Sequence, residues 1–219
     1  MSEIINTYTL DNPLVLIPMD RGEFYKEQIE AFRKHGKPTR AVEIVNILIF
    51  NSHGELLVQK RSFDKNHNPG LLDKSVGGHM PNGDTPDYTV MVETIQELQT
   101  PSIVLKDEAD FQKTYKLLKK YLETISLIRH LYSGVIQPIK IINGEEVRIA
   151  NNAHMYIGVY DGRIRPVDRE AKGVLLYSLA ELEKEMNETP EVFTDDLHLI
   201  MREHKEDIQK FVQFVTKQS

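Results

Sequence analysis

The stretch Ser75 to Leu98, SVGGHMPNGDTPDYTVMVETIQEL, constrains this chain more than any other. A glycine pair, Gly77 and Gly78, leads into a polar turn and then a helix that carries Glu93, Gln96 and Glu97. Asp84 or Thr85 is placed to cap that helix, Pro86 suits its first turn, and Asp87 favours its positive end. Met91, Ile95 and Leu98 supply apolar positions at i, i+4 and i+7. Glu93 and Glu97 stand four apart, so both carboxylates project from one helix face and can share a hard cation, which takes oxygen ligands. Gln96 falls on roughly the same face, and Asp84 can reach that region from the turn. A glutamate pair of this kind is also what an ordinary solvated helix face carries, so its surroundings decide its meaning.

Upstream, GEFYKEQIEAFRKHGK places Phe24, Ile29 and Phe32 near helical spacing, and Gly36 and Pro38 end the helix. VEIVNILIFNSHGELLVQKRS reads as two strands about the turn Asn51–Gly54. After the glutamate helix, KDEADFQKTYKLLKKYLE sets Phe111, Tyr115, Leu118 and Leu122 in one amphipathic stripe. That stripe is expected to pack on the body or a second subunit, although a helix so placed is also positioned to cover a pocket. Strand-like segments follow in TISLIRHLYSGVI, EEVRIANNAHMYIGVYDG and GVLLYSL, then two helices, SLAELEKEMN and TDDLHLIMREHKEDIQKFVQFVTK. The elements keep no regular βαβ beat, so the expectation is α+β, a mixed sheet sandwiched by helices, rather than a doubly wound parallel sheet.

A chain of 219 residues with 40% hydrophobic and 27% charged residues buries the core of one domain, residues 1–219. Within it, a helical insertion spans about 101–123 and C-terminal helices about 179–217. No run approaches the roughly 18 to 20 apolar residues of a membrane span. The start, MSEIINTYTLDNP, lacks the basic and apolar regions of a secretory signal. Cysteine is absent, which excludes disulfides, thiolate metal sites and a cysteine nucleophile, and fits a reducing, cytoplasmic setting. A net charge of -6 offers no basic face for nucleic acid, so neither nucleic acid nor membrane is an expected partner.

With these residues in view, the segment resembles the Nudix box: a glycine, five residues, an acidic residue, seven residues, then Arg-Glu-aliphatic-any-Glu-Glu-any-Gly. Gly78 takes the first glycine, Asp84 the acidic position, Val92 the arginine and Glu93 the first glutamate. Thr94 stands at the aliphatic position, Gln96 and Glu97 at the paired glutamates, and Gln99 at the final glycine. YKEQIEAFRKHGKPTRAV, LLVQKR, NPGLLDKSVGGH and GVLLYSLAEL also keep the order and spacing of Nudix proteins akin to isopentenyl-diphosphate isomerase. The resemblance runs from about Val15 to the C-terminus, apart from the segment around Pro101–Tyr121.

The resemblance implies a single Nudix-type α/β/α domain that hydrolyses a small organic diphosphate, such as a nucleoside diphosphate linked to another group. It implies Mg2+ or Mn2+ as cofactor and attack of water on phosphorus. Glu93 and Glu97 would be catalytic metal ligands, with Asp84 and Gln96 beside them; Glu170 would act as base or further ligand. Arg61 and Lys65, with Lys60 next to them, match diphosphate-binding positions, and His79 and Gly78 line the substrate site. Paired subunits are frequent among proteins of this kind, so a homodimer is expected.

In the isomerases a cysteine falls at Gly77, metal histidines at His79, His35 and Val42, and later acidic residues near Asn151 and Ala153. Moving a proton across a double bond needs an acid and a base on opposite faces, and neither is present. Loss of the box arginine, one glutamate and the last glycine makes a binding module without turnover the main alternative. Plain structural readings stand beside these: His79 as a turn histidine bonded to backbone, His67 as a surface loop residue, His35 as part of a helix end. Tyr132, Tyr156 and Tyr160 read as core or pocket wall.

Overall fold

The buried run Ala41–Phe50 sets the architecture, because a strand buried on both faces needs a layer on each side. The computed structural model describes residues 3–10, 15–163 and 171–218. The first half contains β1 (Ile4–Thr9), β2 (Leu16–Asp20), α1 (Arg21–His35), β3 (Arg40–Phe50), β4 (Leu56–Arg61), β5 (Leu72–Asp73), β6 (Val76–His79) and α2 (Pro86–Leu98). There follow β7 (Ser102–Leu105), α3 (Glu108–Leu118), β8 (Ser126–Ile136), β9 (Ile139–Ile142), β10 (Glu145–Arg148), β11 (Ala150–Val159) and β12 (Ala171–Tyr177). The chain closes with α4 (Leu179–Glu188), α5 (Asp195–Glu203) and α6 (Lys205–Gln218).

The sheet is mixed, in the order β12-β4-β3-β11-β8-β7. β3 runs parallel to β11 and β7 parallel to β8, whereas the β12–β4, β4–β3 and β11–β8 pairs are antiparallel. One edge of β3 is taken by β11 from Ala41 to Phe50. Its other edge is shared: β1 pairs at Arg40–Val42, β6 at Ile44–Ile47, and β4 only at Phe50 opposite Leu56. β4 therefore splays away from β3, and this parting creates the cavity described below.

Alternation along β3 sorts the two layers. Val42, Ile44, Leu48 and Phe50 join a core with Phe24 of α1, Phe111 and Tyr115 of α3, Leu182 of α4, Leu197 of α5 and Phe211 of α6. Val45, Ile47 and Ile49 face the other way, against Val90 and Leu98 of α2. The result is the expected α+β sandwich, with α2 on one face. Among the described residues, no helix is long and apolar enough to cross a membrane.

Three local expectations are corrected. The 101–123 segment is not purely helical: Ser102–Leu105 forms β7, where the β-branched pair Ile103–Val104 suits a short edge strand beside β8. The last helix is two, because His204 leaves helical geometry at φ -117, ψ 20. That break lets Leu197 and Ile200, and then Ile208, Phe211 and Val215, each face the core. The EEVRIANN stretch, read as one strand, is divided between β10 and β11.

Thr85, rather than Asp84, caps α2, its hydroxyl accepting from the Tyr88 amide at 3.3 Å. At the other end, Gln99 holds a left-handed φ of 54, the conformation glycine fills at most such helix ends. A side chain there costs about 1–2 kcal/mol, and glycine gives back about 0.5–1 through its looser unfolded chain. Gln99→Gly is therefore expected to stabilise the protein by about 0.5–1 kcal/mol. Urea denaturation reads this directly; an unshifted midpoint would mean that the glutamine side chain offsets its own strain.

Candidate active site

Where β3 and β4 part, a cavity of about 1300 Å³ opens on the α1 side of the sheet. Tyr25 of α1, Asn46 of β3, the loop after β4, Lys140 of β9 and Asp196 of α5 all contribute to its walls. β9 and β10 form a separate hairpin, tied down by Asn68. The Asn68 side chain accepts from the Ile141 amide at 2.7 Å, and its own amide donates to the Ile141 carbonyl at 2.8 Å. That clamp places Lys140 over the cavity.

Glu93 comes from the opposite layer. Its carboxylate reaches the cavity past β6 because Gly78 has no side chain: a Cβ there would stand 1.8 Å from Glu93 Oε1. Gln96, one turn on, also lines the cavity. Gly77 keeps the floor open in the same way, since a Cβ would lie 2.6 Å from Lys74 Cε.

Charge is concentrated at the far wall. Asp73 is 3% exposed; its Oδ1 accepts from the Lys74 amide at 2.9 Å, Lys74 Nζ at 3.2 Å and Thr194 Oγ1 at 2.8 Å. Its Oδ2 accepts from Arg61 at 3.2 Å. Burial alone would raise the Asp73 pKa, but Lys74 and Arg61 reverse this and hold it well below the usual carboxylate range. Burial likewise works against the Lys74 charge, and Asp73 and Asp196 overcome it, raising its pKa. For Lys140 burial wins and its pKa is lowered, with Lys74 adding to the effect. Arg61, Lys65, Lys74 and Lys140 together give the cavity a cationic wall.

Neutral aromatic groups stand beside these cations. Tyr25 OH and His79 Nε2 lie 2.8 Å apart, and the His67 ring is tilted against Tyr25 at 4.2 Å between centroids. Burial, followed by nearby cations, pushes His67 down to about 3 and lowers His79 as well, so both rings are neutral at physiological pH.

The residues singled out in the sequence divide accordingly. Glu93, Gln96, Arg61, Lys65, His79 and Gly78 are brought to the cavity. Glu97 is 3% exposed and accepts from Gln59 Nε2 at 3.0 Å, placing its carboxylate between α2 and the sheet. Asp84 lies in the turn, outside the cavity lining, with its amide on the Pro81 carbonyl. Lys60 points elsewhere, its Nζ 5.9 Å over the Phe63 ring. Glu170 lies outside the described residues.

His67 is half-buried and not a free surface loop residue, because its ring lies against Tyr25. His79 bonds to the Tyr25 side chain instead of to backbone. His35 does close α1, as the last helical residue before Gly36. Tyr156 and Tyr160 are core, whereas Tyr132 is exposed against His204. Asn151 and Ala153, at the isomerase's acidic positions, are both buried.

Sequence reasoning missed Lys74, Lys140, Asn46 and Asp196. Lys140, a lone cation inside the apolar strand IKII, was the available signal. Asp196 reads as an ordinary first-turn acid, and Asn46 as an isolated polar residue in a buried strand.

A mixed sheet between helical layers, with a helix that delivers a glutamate past a strand glycine, defines a Nudix-type sandwich. The chain belongs to the NUDIX domain family, whose model matches residues 40–197. It is 26% identical over 194 residues to isopentenyl-diphosphate Delta-isomerase of Serratia proteamaculans, covering 89% of this chain and 92% of that one. Against the enzyme of that name from Streptomyces coelicolor, identity is 23% over 153 residues, covering 70% of this chain and 65% of the relative. Among solved structures, DR0079 from Deinococcus radiodurans superimposes with a TM-score of 0.51 at 20% identity, covering 74% of this chain and 81% of that one.

Proposed function

We propose that the cavity binds a small organic diphosphate and that the chain hydrolyses its phosphoanhydride bond with a divalent cation, Mg2+ or Mn2+. The observation that carries this reading is the meeting of the Glu93 carboxylate with the cationic wall of Arg61, Lys65, Lys74 and Lys140 in one cavity. Among the described residues, no group of three or more His, Asp or Glu is placed to hold an ion. Mg2+, however, is commonly bound by one or two carboxylates plus substrate phosphates. Glu93 with the Gln96 amide oxygen fits that pattern, and so favours a cation that arrives with the diphosphate over one held by protein alone. Such a cation neutralises phosphate charge and activates water.

This chain's own residues supply the rest. Lys65 and Arg61 balance the phosphate oxygens, Arg61 being held by Asp73 and by the His67 carbonyl at 3.0 Å. Glu97, fixed by Gln59, stands behind Glu93 on the same helix and shapes the field there. Water is the nucleophile on phosphorus, and Glu170 is proposed as the base that takes its proton.

A second reading, binding without turnover, is favoured by the burial of Glu97 and by Gln96 and Val92 at charged box positions. Isomerisation is disfavoured by Gly77, Asn151 and Ala153. Phosphate release from a panel of diphosphates with and without Mg2+ separates these readings, with calorimetry on the same proteins. Glu93→Gln is expected to abolish Mg2+-dependent release and to weaken cation binding about tenfold in the presence of diphosphate. Lys65→Ala should weaken diphosphate binding by about 1.5–3 kcal/mol, the worth of a charged hydrogen bond. Tight binding with no release on any compound would give the second reading the lead, and interconversion of isomers without release would overturn both.

A further inference from the structure

We infer that Asn46 and Asp196 read the organic half of the diphosphate, and that this half presents O–H or N–H groups to them and is not a bare hydrocarbon. The inference rests on the diphosphate reading and narrows it. Asn46 is 1% exposed, and neither its Nδ2 nor its Oδ1 has a hydrogen-bond partner among the described residues. Asp196 is 3% exposed; its Oδ1 is likewise unpartnered, while its Oδ2 lies 3.8 Å from both Lys74 and Lys140. Buried polar groups are nearly always paired. Of the few side chains here that break this rule, Asn46 and Asp196 are the ones that line the cavity.

The two belong to one patch. At Gly77 a Cβ would meet Lys74 on one side and Asn46 Oδ1, at 3.4 Å, on the other, and Lys74 leads on to Asp196. Gly77 adds no side chain over the Asn46 amide, which is unpaired among the described residues and all but closed to water in the free protein. The patch offers two acceptor oxygens and one N–H donor, so it is complementary to hydroxyl or amine groups. A hydrocarbon laid against it would leave all three atoms dehydrated and unpaired, and sites built to hydrogen-bond a ligand group discriminate strongly against analogues that lack it. The patch shares this wall with Lys74 and Lys140, but the Asp196 carboxylate repels phosphate oxygens, so the donor groups of the organic half are its better partners.

Calorimetry on the full chain with Mg2+ tests this with three probes: inorganic pyrophosphate, isopentenyl diphosphate and UDP-glucose, a hydroxyl-bearing diphosphate. Wild type is expected to prefer UDP-glucose over isopentenyl diphosphate at least tenfold. Asn46→Leu and Asn46→Ala, each checked for native circular dichroism, should weaken UDP-glucose at least tenfold and leave pyrophosphate within twofold. The smaller variant keeps the test valid if leucine disturbs the strand. Equal affinity of wild type for the two organic probes would overturn the inference. So would variants that leave UDP-glucose unchanged, because water would then satisfy the amide, or variants that weaken pyrophosphate as much. If pyrophosphate binds and only these contrasts fail, the diphosphate reading survives alone; if none of the three binds, both fall.

Discussion

Asp73→Asn will destabilise the folded chain by about 3–5 kcal/mol, the usual result of removing one partner from a buried ion network. Asp73 gathers donors from Lys74, Arg61 and Thr194 at a site 3% exposed. Asparagine keeps the shape but removes the charge, and its amide hydrogens would confront those donors. Lys74, 8% exposed, would lose its nearest counter-charge, with Asp196 left at 3.8 Å. The effect also has a pH signature. Because the folded pKa of Asp73 lies below the unfolded value of about 3.9, its contribution is fully present above that value and is lost as pH falls through the folded pKa. Wild type is therefore expected to lose stability below about pH 4 more steeply than Asp73→Asn. Urea denaturation at neutral and acid pH measures both; a neutral-pH loss under about 1 kcal/mol would show the network to be dispensable.

The second large effect concerns α3. Phe111 is 1% exposed, with ring centroids 5.1 Å from Phe211 and 6.1 Å from Phe214 of α6. Tyr115 lies 5.4 Å from Phe214, and its hydroxyl donates to the Val215 carbonyl at 3.3 Å. Phe111→Ala should cost about 3–5 kcal/mol, lowering the melting temperature by about 10 °C in a chain of this size. A helix that served as a mobile cover would behave otherwise: truncation would change ligand affinity and leave melting almost untouched. The aromatic packing supports the reading of the stripe as a fixed part of the body.

How far the sequence led can be seen residue by residue. Periodicity found α1, α3 and the β3–β4 hairpin because each keeps one face buried over many residues. In α2 the stripe Met91, Ile95 and Leu98 named the wrong face, since Ile95 is exposed and Val90, Thr94 and Glu97 are buried. It missed the break at His204 because the apolar stripe continues on both sides, and it merged β10 with β11 because the polar turn signals between them are absent. The box segment pointed to Glu93 and Gln96, whose place depends on one helix and one glycine. It could not tell Glu97 from Glu93, since both lie on one helical face and only the Gln59 side chain of β4 separates a buried carboxylate from one at the cavity. Asn46, Lys140 and Asp196 come from three separate elements and Lys74 from the β5–β6 connection, and their convergence depends on how β4 departs from β3.

The pairing of β3 with β11 has a consequence for the nascent chain. Glu43 and Asn152, partners in register, are 109 positions apart, and the strands between which they lie form the middle of the sheet. At a synthesis rate of about 5–20 residues per second, β11 is made roughly 5–20 s after β3. During that interval Ala41–Phe50, buried at every position in the finished protein, has no central neighbour to pair with. Parallel pairing over such a separation is also slow to form once both strands exist. The segment AVEIVNILIF is thus the part of this chain most in need of a chaperone before translation ends.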